Sequence, residues 1–173
     1  MKRIIHAVLL LTVFLHAAVA DEGQTEEQGV FEDNLLDELQ GQWSMKGTIL
    51  GEPVEYRLSA KWVLLHQFLL LEIQDTGRPL SYEAAVYIGF DSSRDQYIVH
   101  WLDGFGGKPS AILGYGQSTE DAIQLFFDYS SGQFRDTFTF ERGSGKWRFH
   151  FEAQETDGTW SEFADYWVQR NPE

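Results

Sequence analysis

Cysteine is absent from the 173 residues. That excludes disulfide bonds, even in an oxidising compartment, and leaves no thiol for a lipid anchor. Long apolar runs are also absent after residue 20, so no later stretch is suited to span a bilayer as a helix. Basic residues are scarce, with 13 Lys and Arg against 27 Asp and Glu. A surface this acidic repels phosphate backbones and anionic membranes, which argues against nucleic acid as a partner. There is no His-Glu-x-x-His, no EF-hand loop and no Lys-Ser/Thr phosphate loop around Gly104–Gly107. The residues therefore call for no metal and no cofactor.

The chain opens with Lys2-Arg3, an apolar run over Ile4–Val19 and the small-x-small pattern Ala18-Val19-Ala20. The run is shorter than the roughly 20 residues of a transmembrane helix, and the pattern predicts a secretory signal cleaved before Asp21. The expected product is periplasmic or secreted. Cleavage removes Lys2 and Arg3 and no acid, so 11 basic residues then face 27 acidic ones, a net charge of −16. Residues 21–30 are acidic and lack apolar periodicity, the pattern of a disordered tether. The remainder, 31–170, is one domain long enough to bury roughly 68–70% of its unfolded surface.

Phe31, Leu35, Leu36 and Leu39 recur at helical spacing, which predicts a short helix over Glu32–Gln40. From Trp43 the apolar period changes to two. Ten short β-rich runs follow, each closed by a small turn such as Gly51-Glu52-Pro53, Ser130-Ser131-Gly132 or Gly143-Ser144-Gly145. Strands in simple succession predict an all-β antiparallel meander. A closed barrel is favoured over a sandwich because closure removes exposed edges.

Pairing across the turns tests the register. Glu141 falls opposite Lys146, Arg135 opposite Glu152 and Asp128 opposite Arg135, all opposite charges on a solvent face. The other face carries Ile123, Leu125, Phe127, Phe134, Phe138 and Phe140, continued by Trp147, Phe149, Phe151, Tyr166 and Val168, an aromatic barrel interior. In the central hairpin, Tyr82–Phe90 with Gln96–Asp103, both faces are apolar. A simple register sets Ile98, His100 and Leu102 opposite Ile88, Val86 and Ala84. One face meets the interior, and the other needs the N-terminal helix or a second subunit as cover.

Gly41-x-Trp43 after a Leu-rich helix, Gly89-Phe90-Asp91 and Tyr97-x-x-x-Trp101-x-Asp103 together suggest a family. The chain resembles the bacterial domain of unknown function 1579 family, grouped with the calycin or lipocalin-like barrels, over roughly 35–169. His66-Gln67 departs from the family's Gly-Gly-like turn. The resemblance implies the calycin fold and a cavity for a small apolar ligand, and it implies no activity.

Four groups of residues are candidates for chemistry. Thr137, His150 and Asp165 stand in a row on successive strands, a hydroxyl, imidazole and carboxylate in line. They lie on the charged face beside an expected Arg148–Trp167 cation–π pair, without an oxyanion device, and a surface His–Asp pair is the simpler reading. Asp103 falls opposite Glu83 at the hairpin rim, where two close carboxylates would push one pKa up. His100 sits alone on an apolar face, as a core histidine or, in a haem-binding barrel, a ligand. The aromatic wall carries two acids, Asp136 and Glu162, which would hold a ligand's polar end while rings grip its body. The expected ligand-binding set is Trp43, Phe127, Asp136, Phe138, Phe149, Glu162 and Tyr166. The leading expectation is an exported barrel that binds a small hydrophobic or amphipathic molecule. A carboxylate-based isomerase or lyase and a filled barrel used as a homodimer or interaction module are the alternatives.

Overall fold

Alternation of apolar and polar residues runs through ten consecutive strands, and in the computed structural model they close on themselves. The structure describes residues 29–171; the expected signal segment 1–20 and most of the expected tether lie outside them. The strands are β1 (Gly41–Ile49), β2 (Glu52–Val63), β3 (Phe68–Asp75), β4 (Glu83–Asp91), β5 (Gln96–Asp103), β6 (Leu113–Ser118), β7 (Ala122–Tyr129), β8 (Gly132–Glu141), β9 (Lys146–Gln154) and β10 (Trp160–Arg170). Each pairs antiparallel with its sequence neighbour, and β1 pairs with β10 to complete the barrel. This is the all-β, calycin-like meander that the sequence predicts. The closing seam is long, running from Trp43 opposite Arg170 to Ile49 opposite Ala164, so no edge is left unpaired.

The predicted helix is real but short. Helix α1 (Asn34–Asp37) is one turn, capped by Asp33, whose carboxylate accepts from the amides of Leu35 and Leu36 at 2.9 Å each. Its role is to close one end of the barrel. Leu35, Leu36 and Leu39 are buried there, and the Trp43 indole N–H donates to the Leu39 carbonyl at 2.7 Å. Arg170, from the last strand, stacks 4.3 Å over the Trp43 ring and donates to the carbonyls of Gln40 and Glu38. The half of the barrel next to this plug is filled by side chains, with Phe138 and Phe149 stacked at 4.2 Å.

Two expected registers change. Asp128 pairs with Gln133 and Arg135 with Phe126, because the β7–β8 turn holds two residues, Ser130-Ser131, rather than three. Glu141–Lys146 and Arg135–Glu152 pair as expected. The central hairpin is displaced by one residue: Val86, Ile88 and Ala84 oppose Trp101, Val99 and Asp103. A one-residue slip exchanges the faces, so Trp101 points inward and His100 outward. Helix α1 does not cover that outer face, because it is committed to the barrel end. In place of a continuous sixth strand from Ser110, a short 3-10 turn over Pro109–Ala111 precedes β6, and His100 Nε2 lies 2.7 Å from the Ser110 carbonyl oxygen.

Candidate functional site

Away from the plug, the barrel is hollow. A cavity of about 550 Å³ opens at the end formed by the β1–β2, β3–β4, β5–β6, β7–β8 and β9–β10 connections. Its walls follow from strand alternation. Strand β2 contributes Tyr56, β5 contributes Trp101, β9 contributes Phe151 and β10 contributes Tyr166, each pointing inward because its neighbours in sequence point out. These rings and Tyr82 touch in a chain: Tyr82–Tyr56 at 5.7 Å, Tyr56–Tyr166 at 6.0 Å, Tyr166–Phe151 at 5.5 Å and Phe151–Trp101 at 5.7 Å. The Trp101 indole then donates to the Tyr82 hydroxyl at 3.3 Å. The result is a belt of aromatic surface around the void.

Asp136 stands in this wall. Its neighbours across β7 and β9 are Leu125 and Phe151, and it is only 6% exposed. Burial raises its pKa from 3.8 to about 8, with no hydrogen bond or opposite charge among the described residues to offset it. At neutral pH the carboxyl is mostly protonated. Burial also raises the Tyr82, Tyr129 and Tyr166 hydroxyls, Tyr129 to about 12, and the Asp136 carboxyl adds to each shift. No Lys, Arg or His lines the cavity among the described residues.

The mouth is shaped by a second, very different acid. Asp75 ends β3 and is nearly buried, yet its pKa is lowered, first by the Ser81 hydroxyl and then by backbone amides that include those of Ser81 and Tyr82. It is a loop clasp that holds Tyr82 over the cavity. Asp103 lies at the rim and accepts from the Phe105 amide at 3.0 Å.

Of the expected ligand-binding residues, Phe127, Asp136 and Tyr166 line this cavity. Trp43, Phe138 and Phe149 also face inward, but they are fully buried in the filled half, against the plug. Glu162 is not an interior acid. A β-bulge between Glu162 and Ala164 inserts Phe163 into the wall and turns Glu162 outward, opposite Glu152. Tyr56, Tyr82 and Trp101 were not among the expected set; Trp101 was hidden by the displaced hairpin register.

The other groups separate. Thr137, His150 and Asp165 do sit side by side, but Asp165 is held by Arg148 at 2.7 and 3.1 Å and Thr137 accepts from Gln124. His150 faces Glu162 at 3.3 Å. No relay connects the three. Arg148 therefore serves Asp165 rather than the Trp167 ring; besides Arg170 on Trp43, the guanidinium stacked on an indole is that of Arg135, 4.3 Å over Trp160. Glu83 pairs with Gln74 and Asp103 with Ala84, so alternation sends the two carboxylates to opposite faces. His66 stacks on Trp62 at 4.2 Å. Among the described residues no group of three His, Asp or Glu side chains is placed to hold a metal ion, and no helix is long and apolar enough to cross a membrane. A wider polar depression of about 1170 Å³ at the closed end is bordered by Gly29–Asp33.

These features define a calycin-like barrel, plugged at one end and hollow at the other. No family model matches the chain, and a search of curated proteins returns no match.

Proposed function

We propose that this chain is an exported binding protein that holds a small organic molecule in the open half of its barrel. The observation that carries this reading is the aromatic cavity of about 550 Å³ with one buried carboxyl in its wall. That volume lies within the roughly 300–1,000 Å³ range of small-molecule sites, and an apolar lining with few convergent polar groups is their usual chemistry. The test is titration with the neutral, solvatochromic naphthalene dye prodan. One saturable site with blue-shifted emission is expected, and Ile49→Trp, at the half-buried mouth, should weaken it. An unshifted dye, or equal binding by the variant, would sink the reading.

Export rests on Lys2-Arg3, the apolar run and Ala18-Val19-Ala20. N-terminal sequencing of protein from the host's secreted or periplasmic fraction should begin at Asp21, and an intact Met1 end would exclude cleavage. Kinship with the domain of unknown function 1579 family rests on the quoted motifs, and their residues have physical tasks here. Trp43 anchors the plug, Gly89 underlies the Phe68 ring, and Trp101 forms cavity wall.

A carboxyl poised near pH 8 inside a cavity is also what proton-transfer catalysis uses. That second reading predicts substrate turnover lost in Asp136→Asn, whereas a carrier releases its ligand unchanged.

A further inference from the structure

The cavity's polar equipment is lopsided. Its wall offers one deeply buried carboxyl, Asp136, a second acid at the rim, Asp103, and tyrosine hydroxyls, with no cationic side chain among the described residues to answer them. Resting on the reading of this cavity as a ligand site, we propose that its ligand is an organic ammonium ion, with its apolar body among Tyr82, Trp101, Phe151 and Tyr166 and its nitrogen on the Asp136 carboxylate.

Three observations support the cation. The 6%-exposed Asp136 side chain makes no hydrogen bond or ion pair among the described residues, so its carboxyl is free to take a ligand's ammonium group. Five touching rings border the void, and aromatic rings attract ammonium groups, most strongly where water is excluded. The whole chain is strongly acidic, which draws cations toward the mouth and repels anions. A fatty acid or other carboxylate would meet Asp136 and Asp103 with no cation to pair with. A neutral ligand would accept one hydrogen bond from protonated Asp136 and gain nothing from the attraction of the rings for a cation.

Proton balance gives the proposal its readout. In the empty cavity Asp136 carries a proton at pH 7. When an ammonium ion arrives, the carboxyl O–H bond breaks, the proton leaves to solvent, and a carboxylate–ammonium pair forms. The groups facing Asp136 are the Tyr82, Tyr129 and Tyr166 hydroxyls, all with raised pKa values, and Asp103 at the rim. None of the tyrosines ionises near neutrality, so the released proton comes from Asp136.

The experiment is isothermal titration calorimetry of the full chain with tryptamine, tryptophol and indole-3-acetate, which share a ring system and differ in the end group. Titrations at pH 6, 7 and 8, repeated at pH 7 in two buffers of different ionisation heat, count the protons released. Tryptamine should bind at least about tenfold more tightly than tryptophol at pH 8, the scale of one charge-assisted contact. Its affinity should rise several-fold per unit from pH 6 to pH 8, with close to one proton released at pH 7. Asp136→Asn should abolish both the preference and the proton release. Tryptophol or indole-3-acetate binding as tightly as tryptamine, without proton release, overturns the ammonium inference and leaves the cavity reading intact. Prodan binding with none of the three indoles bound does the same, and failure of prodan as well overturns both.

Discussion

Asp136→Asn should make this protein more stable, and by an amount that depends on pH. The carboxyl has a pKa of about 8 in the folded chain against 3.8 when unfolded. Folding therefore forces it to keep a proton that the unfolded chain releases. The sign follows directly. Below pH 3.8 both states hold the proton and Asp136 has no effect. Between pH 4 and pH 8 the unfolded state is increasingly favoured by ionisation, and stability is lost as pH rises through that window. Above pH 8 the loss levels off. At about 1.36 kcal/mol per unit, the cost is on the order of 4–6 kcal/mol at pH 8 and under about 1 kcal/mol at pH 4. Asparagine, close in shape and always neutral, removes it. The assay is urea denaturation of both proteins at pH 4, 6 and 8, read as the difference between them so that other titrating groups cancel. A difference that grows through the window supports the account. A flat difference below about 1 kcal/mol would show that Asp136 is solvated through the cavity mouth, and the reasoning would fail. A penalty of this size is a large share of a typical 5–15 kcal/mol net stability, which is why a lone buried acid is better explained by a ligand than by folding.

Three other outcomes follow from the packing. Leu36→Ala empties the centre of the plug, where the side chain is fully buried, and should cost about 2–5 kcal/mol in denaturant titration. Gly114→Ala would place a methyl carbon 2.5 Å from the Phe127 ring; the ring must shift, costing about 1–3 kcal/mol in the same assay and weakening prodan binding by narrowing the cavity. The double variant Thr137→Val, His150→Gln should leave prodan affinity unchanged, because that row lies outside the barrel, and a loss of affinity would contradict its assignment to the solvent face.

Most of the architecture was legible because local signals agreed. Strands β5, β7 and β9 have the bounds that alternation and Gly/Ser turns predict, and Asp136 was placed inside because its flanking positions, Arg135 and Thr137, are polar and outward. The errors share a cause. In the central hairpin both strands are apolar on both faces, so a one-residue slip changes no pattern a reader can see. At Phe163 one extra residue is folded into β10, and the alternation that places Tyr166 and Val168 correctly then misplaces Glu162. The cavity itself was not legible. Whether an aromatic interior is filled or hollow depends on which side chains meet across the barrel, and residues such as Tyr56, Tyr82 and Tyr166 are distant in sequence. The Arg170–Trp43 contact that seals the plug spans the ends of the chain, so nothing local announces it.

The central claim, that the open half of the barrel carries a molecule, is tested most directly by native mass spectrometry. Wild-type protein and Ile49→Trp would be recovered from the natural host under identical conditions and weighed folded and denatured. The account predicts a non-covalent passenger on the folded wild type, absent after denaturation and absent from the mouth-blocked variant. Bare folded protein in both samples, or the same passenger on both, would contradict it.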